Sequence, residues 1–190
     1  MGKLVVSEFV SVDGVFEDPG GAEGFERGGW AFQFDRGPEG DKFKLDELIA
    51  ADALLLGRVT YDGFAAAWPA LEETGGEFGR MMNSIPKYVV SGSLHSADWK
   101  NSSVIRPHQA MGEIGRLKRE LDGDLLVAGS GQLVRALTAA GLVDEYRLMV
   151  FPIALGAGKR LFDGSAAPTN LRLASTQEAG DSLILTYVPR

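Results

Sequence analysis

Two glycine-bearing turns hold the residues of this sequence best suited to chemistry. One lies in Ala53-Leu54-Leu55-Leu56-Gly57-Arg58-Val59-Thr60-Tyr61, the other in Leu125-Leu126-Val127-Ala128-Gly129-Ser130-Gly131-Gln132-Leu133. Each ends an apolar run and opens a helix-like stretch. A strand that breaks at glycine and turns into a helix leaves unpaired backbone N–H groups at the positive end of the helix dipole, a setting that attracts phosphate. Two such turns in a chain of 190 residues point to a ligand with more than one phosphate, such as a dinucleotide. A third run, Lys87-Tyr88-Val89-Val90-Ser91-Gly92-Ser93, ends in hydroxyls where a further phosphate could sit.

Acids suited to proton transfer are fewer. Asp13 follows the first apolar run and would point toward a cleft, although Asp-Gly is also a strong turn dipeptide. Asp41 precedes a helical pattern and reads as an N-cap. Trp30, Phe34 and Trp68 could sandwich a flat heterocycle, and core packing explains each equally well. Other motifs fail on inspection. Gly129-Ser130-Gly131-Gln132-Leu133-Val134 lacks the last glycine of the Rossmann fingerprint and lies late in the chain. Gly156-Ala157-Gly158-Lys159-Arg160 has Ile153 in place of the first P-loop glycine and Arg160 in place of Ser or Thr. Ser130 does not lie in a nucleophile elbow. His95 and His108 are too few for a metal site, so no metal is expected.

The elements that must position these residues follow from patterning. Strand-like runs lie at about 4–10, 53–56, 87–91, 103–106, 124–128, 145–153, 171–178 and 182–188. Many are continuously apolar, which predicts burial on both faces of a sheet. Helical spacing separates most of them: Phe43, Leu48 and Ile49 near 41–51; Phe78, Met81, Met82 and Ile85; Met111, Ile114, Leu117 and Leu121; and Leu133, Val134 and Leu137, with Gly141 as the stop. Alternating strands and helices predict a largely parallel sheet covered on both faces. After 145 no helix is expected, and Gln177–Ser182 reads as the turn of an antiparallel hairpin. The glycine-rich stretch 20–40 is expected to be a loop, and no linker or repeat divides the chain, so one domain over 1–190 is expected.

Composition bounds the partners. Net charge is −7, which disfavours nucleic acid, and the small basic clusters Lys100–Arg106 and Lys118-Arg119 read as solvated helix faces. No apolar run approaches the roughly 20 residues of a membrane span. Cysteine is absent, which excludes disulfides and leaves the redox compartment open; Met1–Val6 enters a strand-like run with no secretory signal, so a cytoplasmic location is the default expectation.

Taken in order, Ser11-Val12-Asp13-Gly14, Leu56-Gly57-Arg58-Val59-Thr60-Tyr61, Val89-Val90-Ser91, Gly129-Ser130-Gly131 and Phe151-Pro152-Ile153-Ala154-Leu155-Gly156-Ala157-Gly158 resemble the dihydrofolate reductase-like superfamily. The resemblance is to the branch holding the C-terminal reductase domain of the riboflavin-biosynthesis deaminase/reductase, and it spans nearly the whole chain. It implies a three-layer α/β/α fold, with a mostly parallel sheet and NADPH bound across the C-terminal ends of the strands. By resemblance, Gly57, Arg58 and Thr60 line one phosphate site, Arg58 and Ser91 hold the adenosine 2′-phosphate, and Gly129, Ser130, Gly131 and Gln132 cover the pyrophosphate. Asp41 could correspond to the acid that holds a pterin, while Asp13, by its place after the first apolar run, is the candidate for the proton source that reduction needs. The implied activity is reduction of a small pteridine-like, pyrimidine-like or other conjugated heterocycle. The alternatives are the 5-amino-6-(5-phosphoribosylamino)uracil reductase step of riboflavin synthesis and a non-catalytic NADPH-binding module. A homodimer is also implied, because Leu-, Ile- and Val-rich C-terminal strands would form a sheet edge that needs cover.

Overall fold

The computed structural model describes residues 2–163 and 167–190. Its strands are β1 (Leu4–Ser11), β2 (Ala51–Gly57), β3 (Lys87–Val90), β4 (Ser102–Ile105), β5 (Asp124–Val127), β6 (Glu145–Phe151), β7 (Leu171–Ala179) and β8 (Ser182–Pro189). They join in one sheet of order β4-β3-β2-β5-β1-β6-β8-β7. From β4 through β6 the pairing is parallel, and β8 runs antiparallel to both β6 and β7. The expected parallel sheet closed by an antiparallel hairpin is therefore the fold observed.

Helices α1 (Gly37–Ala50), α2 (Arg58–Ala67), α3 (Gly76–Ser84), α4 (Ala110–Glu120) and α5 (Gly131–Ala139) cover the sheet. Leu54 and Leu56 of β2 pack with Leu48, Tyr61 and Met82 from α1, α2 and α3. Between them, Leu55 packs on the opposite face with Ile114 and Leu117 of α4 and Leu133, Val134 and Leu137 of α5. The unbroken leucine run is thus buried on both faces, as a central strand requires. Burying each such leucine contributes about 1.5–3 kcal/mol. Beneath α3, the buried Lys87 Nζ donates to the carbonyls of Asn83, Ile85 and Lys100 at 3.1, 2.8 and 3.0 Å.

Three expectations need correction. α1 begins at Gly37 rather than 41, because Pro38 pre-sets the helical φ of its first turn. Asp41 therefore lies inside the helix and caps nothing. The stretch 20–40 is not all loop: Trp30–Gln33 forms a 3₁₀ turn, and Trp30 is fully buried with its ring edge-on to Phe151 at 5.6 Å. Trp30 and Phe34 thus belong to a third apolar cluster around Phe151, while Trp68 packs beside Phe64 and Phe78, so packing rather than a heterocycle accounts for all three. Finally, Lys100–Arg106 contains β4 and no helix. Gly141 does end α5, with φ 64° and its N–H on the Thr138 carbonyl at 3.0 Å.

Candidate functional site

Adjacent strands β2 and β5 send their helices to opposite faces of the sheet, which opens a crevice at their carboxyl ends. In α/β sheets that is where ligands bind. The two glycine turns meet in this crevice and interlock. A Cβ on Gly57 would lie 2.1 Å from Ser130 Oγ, and one on Gly129 would lie 2.5 Å from Thr60 Oγ1. Gly129 has φ 77°, and Ser130 follows at φ 64°, a left-handed conformation that costs a non-glycine residue about 1–2 kcal/mol. Neither α2 nor α5 has a side-chain N-cap. Two helix N-termini, with the first-turn N–H groups that helices leave unpaired, thus converge at one spot. Glycine at 57 and 129 lets the two turns approach each other, and the converging helix N-termini are the kind of setting that accepts phosphate, so the cradle fits a dinucleotide.

Gly57, Thr60, Gly129, Ser130 and Gly131 are therefore brought together, with Gln132 exposed on the first turn of α5. Ser91 lies next to them, since Gly57 pairs with Val90 in the sheet register. Its buried hydroxyl accepts the N–H groups of Ser93 and Leu94 at 3.2 and 3.0 Å. Arg58 is exposed and bonds Asp62 Oδ2 at 2.8 Å, so an acid competes for its guanidinium. Sequence reasoning missed Arg106, which donates to the Leu94 carbonyl at 2.7 Å and so braces the turn after Ser91. Its partner lies across a loop, and no local pattern announces the contact.

The two acids singled out in sequence are both held by contacts with the chain itself. Asp13 accepts Ser11 Oγ at 2.6 Å and the N–H groups of Leu155 and Gly156 at 3.0 and 2.8 Å. The Ser11 hydroxyl and then these two amides hold its carboxyl down at about 2. A group so firmly ionised is a poor proton source. It instead stitches the turn after β1 to the loop after β6, where Phe16 N–H and Leu161 N–H also bond across. Asp41 is exposed and paired with Arg36 Nε at 2.5 Å, away from the glycine turns.

The acid at the crevice is Glu8, on β1. It is 7% exposed, and its Oε1 accepts Gly129 N–H at 2.8 Å. Burial pushes its carboxyl up to about 8, against the opposing pull of that N–H and of Lys44. The signal was present in sequence as a lone acid inside the apolar run Leu4-Val5-Val6-Ser7-Glu8-Phe9-Val10. On the opposite face of β1, Ser7 Oγ bonds both carboxylate oxygens of the buried Glu47, at 2.8 and 2.9 Å, and Lys44 Nζ joins them.

This architecture is of the dihydrofolate reductase-like class. Dihydrofolate reductase from Enterococcus faecalis, solved complexed with NADP(H), superposes with a TM-score of 0.59 at 15% identity, covering 100% of this chain and 97% of that one. A protein from Shewanella sp. PV-4 assigned to riboflavin biosynthesis superposes with a TM-score of 0.76 at 21% identity, covering 100% and 99%. The uncharacterized protein YwjB of Bacillus subtilis is 28% identical over 186 residues, 98% of this chain and 97% of its own length. The profile of the RibD C-terminal domain family matches residues 2–185, and the chain belongs to that family.

Proposed function

We propose that this protein is an NADPH-dependent reductase of a small conjugated heterocycle, pteridine-like or pyrimidine-like. The observation that carries the reading is the interlock of two uncapped helix N-termini through Gly57–Ser130 and Thr60–Gly129, in a chain of the RibD C-terminal domain family. The NADP(H) bound by the Enterococcus faecalis relative supports the choice of cofactor. When bound, a dihydronicotinamide supplies hydride. The chain's own residues bind and orient. Gly57, Thr60, Gly129, Ser130, Gly131 and Gln132 receive the pyrophosphate. Arg58 and Ser91 receive the 2′-phosphate, the guanidinium through charge-assisted bonds. Asp13 fixes the turn at the mouth of the crevice.

Titration with NADPH and NADH, followed by NADPH oxidation across pteridine and pyrimidine acceptors, tests this. Tight NADPH binding with turnover is expected. Binding without oxidation of any acceptor would leave a cofactor-binding module in its place, and no binding of either nucleotide would overturn the nicotinamide reading.

One observation favours a phosphorylated substrate, as in the aminopyrimidine reductase step of riboflavin synthesis. A depression of about 270 Å³ beside the start of α5 is lined by Arg135, Lys159 and Arg160, with Asp163 among them. Each cation also faces an acid: Asp163, Glu17 and Asp13 respectively. Loss of affinity for the phosphorylated substrate, but not for NADPH, in Arg135→Ala would support it. The chain is further proposed to act in the cytoplasm, as one domain over 1–190 and as a homodimer through β7. That edge strand is exposed along nearly its whole length, with Leu173 48% accessible. A monomeric mass in light scattering would remove the dimer.

A further inference from the structure

We propose that Glu8 is a positioning residue that admits the anionic cofactor to the Gly129–Gly131 turn only in its protonated form, so that NADPH binding takes up a proton. This inference rests on the cofactor reading above and assigns a control to the same site.

Three observations support it. Glu8 Oε1 accepts the N–H of Gly129, the residue that opens the turn, at 2.8 Å. The side chain is more than nine-tenths buried. Gly129 N–H is its one hydrogen-bond donor among the described residues, and Ser102 Oγ is the only fully buried side-chain polar atom there without a partner. Finally, the first-turn amides of α5 start at Gly131, two residues on, so a phosphate oxygen seated on them lies no more than roughly 13 Å from the carboxyl, given the 3.8 Å spacing of successive Cα atoms and a hydrogen bond at each end.

The electrostatics follow from that spacing. An ionised Glu8 would repel a pyrophosphate through a crevice wall of low dielectric, where like charges interact strongly. Protonated, it keeps its contact with Gly129 and adds no charge. The other ionisable groups acting on Glu8 are Lys44 and Glu47 of α1 and Glu23 of the loop after β1. Lys44 favours the ionised form, whereas Glu47 and Glu23 favour the neutral one. Burial adds to the acids, and the carboxyl titrates near 8. An incoming phosphate can only raise that value further. Linkage then requires affinity to fall as pH rises past the free protein's titration. Glu8→Gln keeps an oxygen for Gly129 and removes the charge, so it imitates the protonated state permanently.

The test is NADPH titration between pH 7 and 9 on the intact wild-type protein and on Glu8→Gln. The 2′-phosphate, with a second pKa of about 6, stays ionised throughout this window. The wild-type Kd should rise about tenfold from pH 7 to 9, as one proton titrating near 8 demands, while the variant's Kd stays flat. Calorimetry in buffers of different ionisation enthalpy should show proton uptake on binding near pH 8 in the wild type and none in Glu8→Gln. A wild-type Kd as flat as the variant's, or equal slopes in the two proteins, would overturn the proposal. If NADPH binds neither protein at any pH, the cofactor reading fails, and inorganic pyrophosphate run through the same series decides whether Glu8 gates anions at all. A pyrophosphate affinity that changes equally from pH 7 to 9 in the wild type and in Glu8→Gln would then end the proposal too. An infrared carbonyl band of a neutral carboxylic acid in the ligand-free protein, absent from Glu8→Gln, reports the protonation state directly. Its absence from the wild type at pH 7 would also refute the idea.

Discussion

The floor of the crevice and its rim are built by opposite means. On the floor, Glu8, Thr60, Ser130 and the glycines at 57 and 129 fix one another by contact, and burial there moves a carboxyl up to about 8. At the rim, Arg58–Asp62 is an exposed ion pair, and Asp13 is held down at about 2 by donors in the turns around it. Two acids joined by one short stretch of chain thus end up on either side of neutrality. The difference teaches that a carboxylate's role follows from what surrounds it. Several donors around a partly wet group preserve its charge, whereas one donor in a dry site does not.

The sharpest way to break this comparison is to intrude on the floor. Gly129→Ala places a Cβ against Thr60 Oγ1 at a φ that alanine avoids, and Gly57→Ala drives one into Ser130. Each should lower stability by about 2–4 kcal/mol and NADPH affinity by more than a hundredfold. Thermal unfolding and fluorescence titration measure the two, and wild-type behaviour in both variants would mean that the turns do not interlock.

Next in size is the pH slope that Glu8 imposes. Its folded pKa lies above the unfolded one, so the folded state binds the extra proton, and wild-type stability should fall as pH climbs from about 4.5 to about 8. Glu8→Gln should remove a few kcal/mol of that slope, by roughly 1.4 kcal/mol per unit of pKa difference, and be the more stable protein at pH 9. Urea unfolding at pH 5, 7 and 9 checks it, and parallel curves would place Glu8 in water rather than on the floor.

Asp13 should behave with the opposite sign. Its folded pKa is depressed, so its contribution is present above about 4 and is lost as pH falls toward 2. Asp13→Ala should cost about 2 kcal/mol at pH 7, by loosening the loop around Leu155 and Gly156, and nothing near pH 2. Denaturation at the two pH values separates this from a general defect.

Rim charges come last. Arg58→Ala should weaken NADPH by one to two decades, about 1.5–3 kcal/mol, and NADH little. Asp62 competes for the guanidinium, so Asp62→Asn should tighten NADPH slightly. Asp41→Asn should change stability by less than about 0.5 kcal/mol, as expected of an exposed pair, and leave NADPH binding alone. A large effect of Asp41→Asn on NADPH binding would extend the site to the start of α1.

Much of this was legible in the chain itself. Unbroken apolar runs such as Leu54-Leu55-Leu56 mark strands buried on two faces, since no amphipathic element could hide them. Glycines at the ends of those runs mark turns that a Cβ would block, and their order along the chain carries the family resemblance. Helix periodicity placed α3, α4 and α5 well, because their apolar stripes repeat. It misplaced the start of α1, whose apolar stripe begins only at Phe43, more than a turn and a half after its backbone does.

The tertiary structure alone decided which acid faces the crevice and in what form. Asp13 looked like the proton source because it follows a strand, yet its fate depends on amides at 155 and 156, far along the chain. Glu8 looked like an accident in a strand until β5 delivered Gly129 against it. Local sequence fixes φ, ψ and period, because those depend on neighbours in the chain. Protonation and steric tolerance depend on neighbours in space, which exist only once the sheet has closed.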